Sequence, residues 1–244
     1  MPRVYELIDL IEDRSNSRAY FQDFEQTICS EPSKRQVWIS REDEFSRLDK
    51  KSWQFLKEEA LPYLESRDSV RGWAQLISIL NQARGYNFLV DEGYSNVHFI
   101  SRSKTAGVET PDLEADEGSS KVFCEIKSIQ FSQKETERRA SGDTGSSALE
   151  LESGFFNKLK LDLEKAMSQM CSFNSNPETR YIAFVDLEFD DFLGEYKNEY
   201  FKQIDDFLEN NPILDLELVF YNPKTAFNSH GVLKYARLIN EVGG

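Results

Sequence analysis

From Val70 onward the hydrophobic pattern changes period several times, and this alternation limits the possible folds more than any other feature. Trp73, Leu76, Ile77, Leu80 and Ala83 recur at three- and four-residue steps, as in a helix with one buried face, and Gly85 is placed to end it. Short β-rich runs follow at 86–90, 96–101, 108–114 and 121–129, with turn formers at 91–93, 104–107 and 116–120. Residues 133–147, rich in charge, Gly and Ser, read as a mobile loop. A long helix is expected over about 148–173, with Phe156, Leu159, Leu163, Met167 and Met170 on one face. A strand at 180–187 (RYIAFVDL), a helix near 197–209 and a strand at 214–221 complete the series. Tight turns pair strands antiparallel, and helical crossovers place them parallel. The order therefore predicts an α/β fold with a mixed sheet flanked by helices.

Residues 1–66 carry mostly helical periodicity and read as an N-terminal helical extension. The α/β domain is expected over 67–244, with its core at about 70–187 and a C-terminal helix and strand within 195–222. No apolar run has the length of a membrane span, and MPRVYELIDLIEDR has acids inside its apolar stretch, unlike a signal peptide. A cytoplasmic protein with no membrane partner is the expectation.

The cysteines, Cys29, Cys124 and Cys171, form no CxxC pair, which leaves no support for a zinc ribbon or a disulfide framework. With only two histidines, His98 and His230, any metal chemistry has to rest on carboxylates. Such a site suits the hard cations Mg²⁺ or Mn²⁺. The net charge of −14 argues against a broad basic surface for nucleic acid. Residues 141–244 hold 18 Asp/Glu against 9 Lys/Arg, whereas the middle of the chain is close to neutral, so a local basic rim around an acidic site stays open.

That middle segment contains TPDLEADEGSSKVFCEIKSI, residues 110–129. Alternation in KVFCEIK puts Glu125 and Lys127 on one face and Cys124 and Ile126 on the other. Asp112 and Glu114 share a face of the preceding strand. If the two strands pair through the 116–120 turn, Asp112 and Glu125 converge, and a divalent cation would relieve their repulsion.

Pro111-Asp112, a twelve-residue gap and then Glu125-Ile126-Lys127 resemble the PD-(D/E)xK phosphodiesterase superfamily, the restriction-endonuclease-like nucleases. The resemblance implies a restriction-endonuclease-like αβββαβ core over roughly 70–187. It also implies Asp112, Glu125 and the Ile126 carbonyl as metal ligands, and Asp112, Glu125 and Lys127 as the catalytic set. The activity implied is Mg²⁺- or Mn²⁺-dependent nuclease cleavage, with DNA favoured over RNA. A homodimer or a partner subunit is left open.

The chain departs from the pattern in one respect. Many members place a Glu on the first core helix, where this chain has Gln75. Gln75, Glu114 and Gln169 are the auxiliary candidates. Gln169-Met170-Cys171-Ser172-Phe173 resembles the Q-apolar-x-x-Tyr motif of RecB-like nucleases, with Phe for Tyr. Lys134, Arg138 and Arg139 of the charged loop are the candidates for contact with nucleic-acid backbone.

Plainer roles exist for the same residues. Glu125 and Lys127 could pair on an exposed sheet face, and Gln169 could sit on a solvated helix flank. His98 could be a hydrogen-bonded core histidine, Cys124 a small apolar residue, and Trp38, Trp53 and Trp73 core contacts. The matching functional alternative is a catalytically inactive module of the same fold that binds protein or nucleic acid.

Overall fold

The structure, a computed structural model, describes residues 2–13, 19–68, 72–103, 105, 109–141, 149–190, 195–213, 215–222 and 232–237. The chain divides into two compact units, residues 1–93 with 224–229, and residues 94–223 with 230–244.

The first unit is helical: α1 (Arg3–Ile8), α2 (Phe24–Ser30), α3 (Pro32–Ser46), α4 (Lys50–Ala60), a short 3₁₀ turn at Leu61–Tyr63, and α5 (Ala74–Asp91). Its three tryptophans are ring contacts, as expected. Trp38 packs on Phe21 at 5.1 Å and Phe24 at 5.4 Å, Trp73 on Tyr20 at 5.1 Å, and Trp53 on Phe45 at 5.3 Å. The segment expected to form a strand at 86–90 is instead the last part of α5. Gly85 lies inside that helix, which ends only near Gly93 at φ 86°. A mid-helix glycine costs about 1 kcal/mol. Here burial on several sides of α5, by Leu80, Ala83, Tyr86, Phe88 and Leu89, outweighs it. The helix assigned from sequence to the α/β core thus groups with the helical residues, and the division falls after Gly93 rather than after residue 66.

A buried charge network runs through this unit. The Glu44 carboxylate meets Arg41 at 3.0 Å and Arg84 at 3.1 Å, and Arg41 also donates to Asn81 Oδ1 at 2.5 Å. Burial alone would raise the Glu44 pKa, but the two guanidiniums outweigh it and hold the carboxyl below its usual value. Glu44→Gln leaves both cations without their shared counter-charge. It is expected to lower stability by about 3–5 kcal/mol, read from the denaturant midpoint. Because the folded pKa is depressed, Glu44 contributes stability above about pH 4.5 and loses it as the pH falls below that value.

The second unit is α/β. Its sheet is built from β1 (Ser95–Phe99), β2 (Leu113–Glu117), β3 (Ser120–Ile129), β4 (Arg180–Leu187) and β5 (Glu217–Asn222), with β6 (Val232–Arg237) on the open edge of β5. All six strands lie in chain order. β1–β2–β3 and β5–β6 pair antiparallel, whereas β3–β4 and β4–β5 pair parallel. The parallel steps are crossovers through α7 (Ser153–Phe173) and α8 (Lys197–Asn210). The mixed α/β sheet flanked by helices is therefore present.

Three expectations change in detail. β2 begins at Leu113, so Asp112 immediately precedes it, and the β2–β3 connection shortens to Gly118-Ser119. Gly118, at φ 61°, takes the left-handed position that a two-residue hairpin requires. Of the expected mobile loop, residues 133–141 form a helix, α6 (Gln133–Ser141), and 142–147 lie outside the described residues, as do Val108 and His230.

The register decides which side chains share a face. Phe123, Glu125, Lys127 and Ile129 of β3 lie with Tyr181, Ala183, Val185 and Leu187 of β4. α7 covers that face with Leu159, Leu163, Ala166 and Met170, and α8 with Tyr200, Phe201, Ile204 and Leu208. Glu125 and Lys127 thus belong to the sheet face that α7 and α8 cover. Cys124 lies on the opposite face, fully buried, and burial pushes its thiol pKa well up.

Candidate functional site

The β2–β3 ladder runs from Glu117↔Ser120 to Leu113↔Cys124. One further step along this register sets Asp112 opposite Glu125. Asp112 is fixed there on two sides. Its carbonyl accepts the Ile100 N–H at 3.0 Å, and its Oδ2 accepts the Ile126 N–H at 2.8 Å. The Asp112 side chain therefore satisfies a strand donor just past the end of the ladder. In an antiparallel pair, the N–H and C=O of one residue leave the strand on the same edge, so the Ile126 carbonyl is directed toward β2 as well.

Glu125 is 5% exposed. Its Oε1 accepts from Lys127 Nζ at 2.7 Å, whereas its Oε2 is buried without a hydrogen-bond partner. Lys127 Nζ also donates to Gln169 Oε1 on α7 at 3.0 Å. Glu125 and Lys127 do pair, but not on an exposed sheet face: the side chains are 6% and 14% exposed. Gln169 does not belong to a solvated flank either; α7 carries it inward onto Lys127. Phe173, one turn further on, packs edge-to-face on Phe123 at 5.2 Å, filling with a ring the place where the motif has Tyr.

Electrostatically the two carboxyls are under pressure. The Asp112 pKa is pushed up to about 8, first by loss of solvent and then by the charge of Glu125. The Ile126 N–H, Lys127 and Arg102 act the other way. Burial also raises Glu125, against the opposing pull of Lys127. Two carboxyls this close beside one ammonium titrate together rather than one by one.

Among the remaining candidates, Glu114 and Arg138 have other charged partners. Glu114 projects from the same face but is held by Lys121 at 2.6 Å and lies 3.9 Å from His98 Nε2. His98 is partly exposed on a sheet edge rather than in the core; its Nδ1 lies 2.7 Å from the Asn96 carbonyl. Gln75 is exposed on α5, in the helical unit. On α6, Arg138 makes two 2.6 Å contacts with the buried Glu135 carboxylate, Lys134 is exposed, and the side chain of Arg139 lies outside the described residues. Two residues not singled out for the site also bear on it. Arg102 acts on Asp112 and Lys165 on Glu125. Lys165 lies four residues before Gln169, a helical spacing that could have flagged it. Arg102 carries no sequence signal.

The donor set suits a hard cation: two carboxylates, one with an unpartnered buried oxygen, and an adjacent main-chain carbonyl. Among the described residues no group of three or more His, Cys, Asp or Glu side chains is arranged to hold a metal ion. Among the same residues no helix is long and apolar enough to cross a membrane. Scans against protein-family models, curated proteins and solved structures give no match.

A pH effect follows from the raised Asp112 pKa. Unfolded, Asp112 ionises near its ordinary 3.8; folded, it keeps its proton to about 8. The folded state binds more protons across that window. This contribution to stability is complete below about pH 4 and is lost as the pH rises through about 8, with a slope of at most about 1.4 kcal/mol per pH unit. Denaturant midpoints of the metal-free protein should fall more steeply with pH for wild type than for Asp112→Asn. Parallel profiles would remove the buried pair as their cause.

Proposed function

We propose that the α/β unit is a divalent-metal-dependent phosphodiesterase of the PD-(D/E)xK type, cleaving nucleic acid, with DNA favoured over RNA. The observation that carries this reading is the pairing of the half-buried Asp112 with the buried Glu125, whose Oε2 has no hydrogen-bond partner, and Lys127 on the same face. Asp112, Glu125 and the Ile126 carbonyl would hold Mg²⁺ or Mn²⁺. When bound, the cation supplies positive charge that stabilises developing negative charge on a phosphoryl group and acidifies water.

The chain's own groups do the rest. Glu125 Oε1 and Gln169 Oε1 take two of the three N–H donors of Lys127 and fix its ammonium beside the carboxylates. The remaining donor is available to a phosphate oxygen or to the attacking water. Asp112, tied to the Ile126 N–H, keeps β2 and β3 in register where the two carboxylates meet. The α7 face keeps bulk water from one side of the pair, which strengthens every charge interaction there.

The alternative, an inactive module of the same fold that binds protein or nucleic acid, draws support from the lack of a third acid among the described residues. A cleavage assay with single-stranded, duplex and branched DNA and with RNA, in Mg²⁺ and in Mn²⁺, separates the two. Metal-dependent cleavage that chelator abolishes is expected. Its absence on every substrate favours the inactive module.

A further inference from the structure

We propose that Lys165 and Arg102 form a phosphate-gripping rim beside the carboxylate pair, and that Glu109 holds Lys165 until a nucleic-acid phosphate displaces it; this rests on the phosphodiesterase reading above. Lys165 lies one helical turn before Gln169 on α7, so its side chain leaves the helix on the side that reaches Lys127. Its Nζ is 3.2 Å from Glu109 Oε1, three residues ahead of Asp112.

Other lysines on α7 pair along the helix itself, Lys158 with Asp162 at 2.7 Å and Lys160 with Glu164 at 3.9 Å. Lys165 alone of these three reaches across to the segment that carries Asp112. Arg102 lies two residues after Ile100, whose N–H donates to the Asp112 carbonyl at 3.0 Å, and is exposed. The charges of both cations are felt at the site, Arg102 at Asp112 and Lys165 at Glu125.

The chemistry favours a polyanion as the ligand. The Lys165 and Glu109 side chains are 57% and 51% exposed, and so open an ion pair is weak and readily exchanged. A phosphodiester offers a stronger acceptor and gains from counterion release. Arg138, by contrast, is already clamped by a buried carboxylate. Lys165 is thus more easily released than Arg138.

The test is binding of fluorescein-labelled DNA, single-stranded and duplex, to the full chain in Ca²⁺, followed by anisotropy over a range of salt. Lys165→Ala and Arg102→Ala should each weaken binding several-fold. Each should also reduce the log–log salt slope by about 0.9 on duplex or about 0.7 on single strands. Lys160→Ala should change neither. Glu109→Gln should tighten binding, and should do so only while Lys165 is present. The rim is overturned if wild type binds but Lys165→Ala and Arg102→Ala keep its slope, or if Glu109→Gln tightens binding equally in the Lys165→Ala background. If wild type binds neither DNA nor RNA and cleaves neither, the phosphodiesterase reading fails and the rim fails with it.

Discussion

Asp112→Asn is expected to lose at least about 10³-fold in cleavage rate while the protein stays folded. If, as proposed, Asp112 is a ligand of a metal centre that supplies several kcal/mol of transition-state stabilisation, withdrawing its charge has an effect of this order, at about 1.4 kcal/mol per tenfold. Asparagine is the informative choice because the Asp112 side chain also has a structural job besides the proposed metal binding. Its Oδ2 accepts the Ile126 N–H at 2.8 Å, and an amide oxygen can take over that bond. Alanine would instead strand a backbone donor, at a cost of about 1–3 kcal/mol, and confuse loss of chemistry with loss of fold. With no metal present, Asp112→Asn should be at least as stable as wild type near pH 8, because it removes one of two repelling acids. Circular dichroism and single-turnover cleavage separate the two effects. An Asp112→Asn enzyme with wild-type turnover removes Asp112 from the reaction.

Lys127→Ala is expected to slow the chemical step by about 10²-fold or more, the size of effect seen for a lost acid–base or charge-stabilising group. It should also leave a signature in proton binding. Lys127 holds Glu125 Oε1 at 2.7 Å in a site where Glu125 is 5% exposed. Burial already raises the Glu125 pKa and Lys127 opposes that rise, so removing the ammonium raises the Glu125 pKa further. Loss of activity should then be greatest at low pH and ease as the pH rises. Gln169→Leu, which removes the second anchor of the ammonium at 3.0 Å, should reproduce part of the rate loss with little change in metal affinity. A pH–rate profile of Lys127→Ala parallel to that of wild type would show that the ammonium does not govern Glu125.

The parts legible in the sequence are those where burial repeats along an element. RYIAFVDL matches β4 residue for residue, because seven of its eight residues are buried and the run reads as a continuous apolar strand. In β3 the alternation that places Glu125 with Lys127 holds, since each face of a pleated strand has its own neighbours. The failures have equally local causes. Residues 86–90 read as a strand because Tyr86, Phe88 and Leu89 are buried on several sides of α5, which erases the amphipathic period. The charged composition of 133–141 masked a helix whose start is encoded by Ser132 and Glu135. The Glu135 N–H donates to Ser132 Oγ at 3.1 Å, the capping-box spacing. In sequence, Gln169 fits a solvated flank as well as a site role, because Lys158, Asp162 and Lys165 on the same helix are all polar. What draws it inward is Lys127, 42 residues earlier in the chain, a partnership no helical period encodes. The bond from Ile126 N–H to Asp112 is equally unreadable, because it depends on where the β2–β3 ladder stops.

The most direct test of a metal held by Asp112 and Glu125 is the melting temperature of wild type and Asp112→Asn with and without Mn²⁺ at matched ionic strength. A ligand that binds only the folded state at a hundredfold excess over its Kd adds about 2.7 kcal/mol. Each kcal/mol moves the midpoint of a protein above 150 residues by about 2–4 °C. Wild type should therefore melt several degrees higher with Mn²⁺, and Asp112→Asn should respond much less. Melting curves of wild type that superimpose with and without Mn²⁺, or an equal rise in both proteins, would contradict a metal site at these carboxylates.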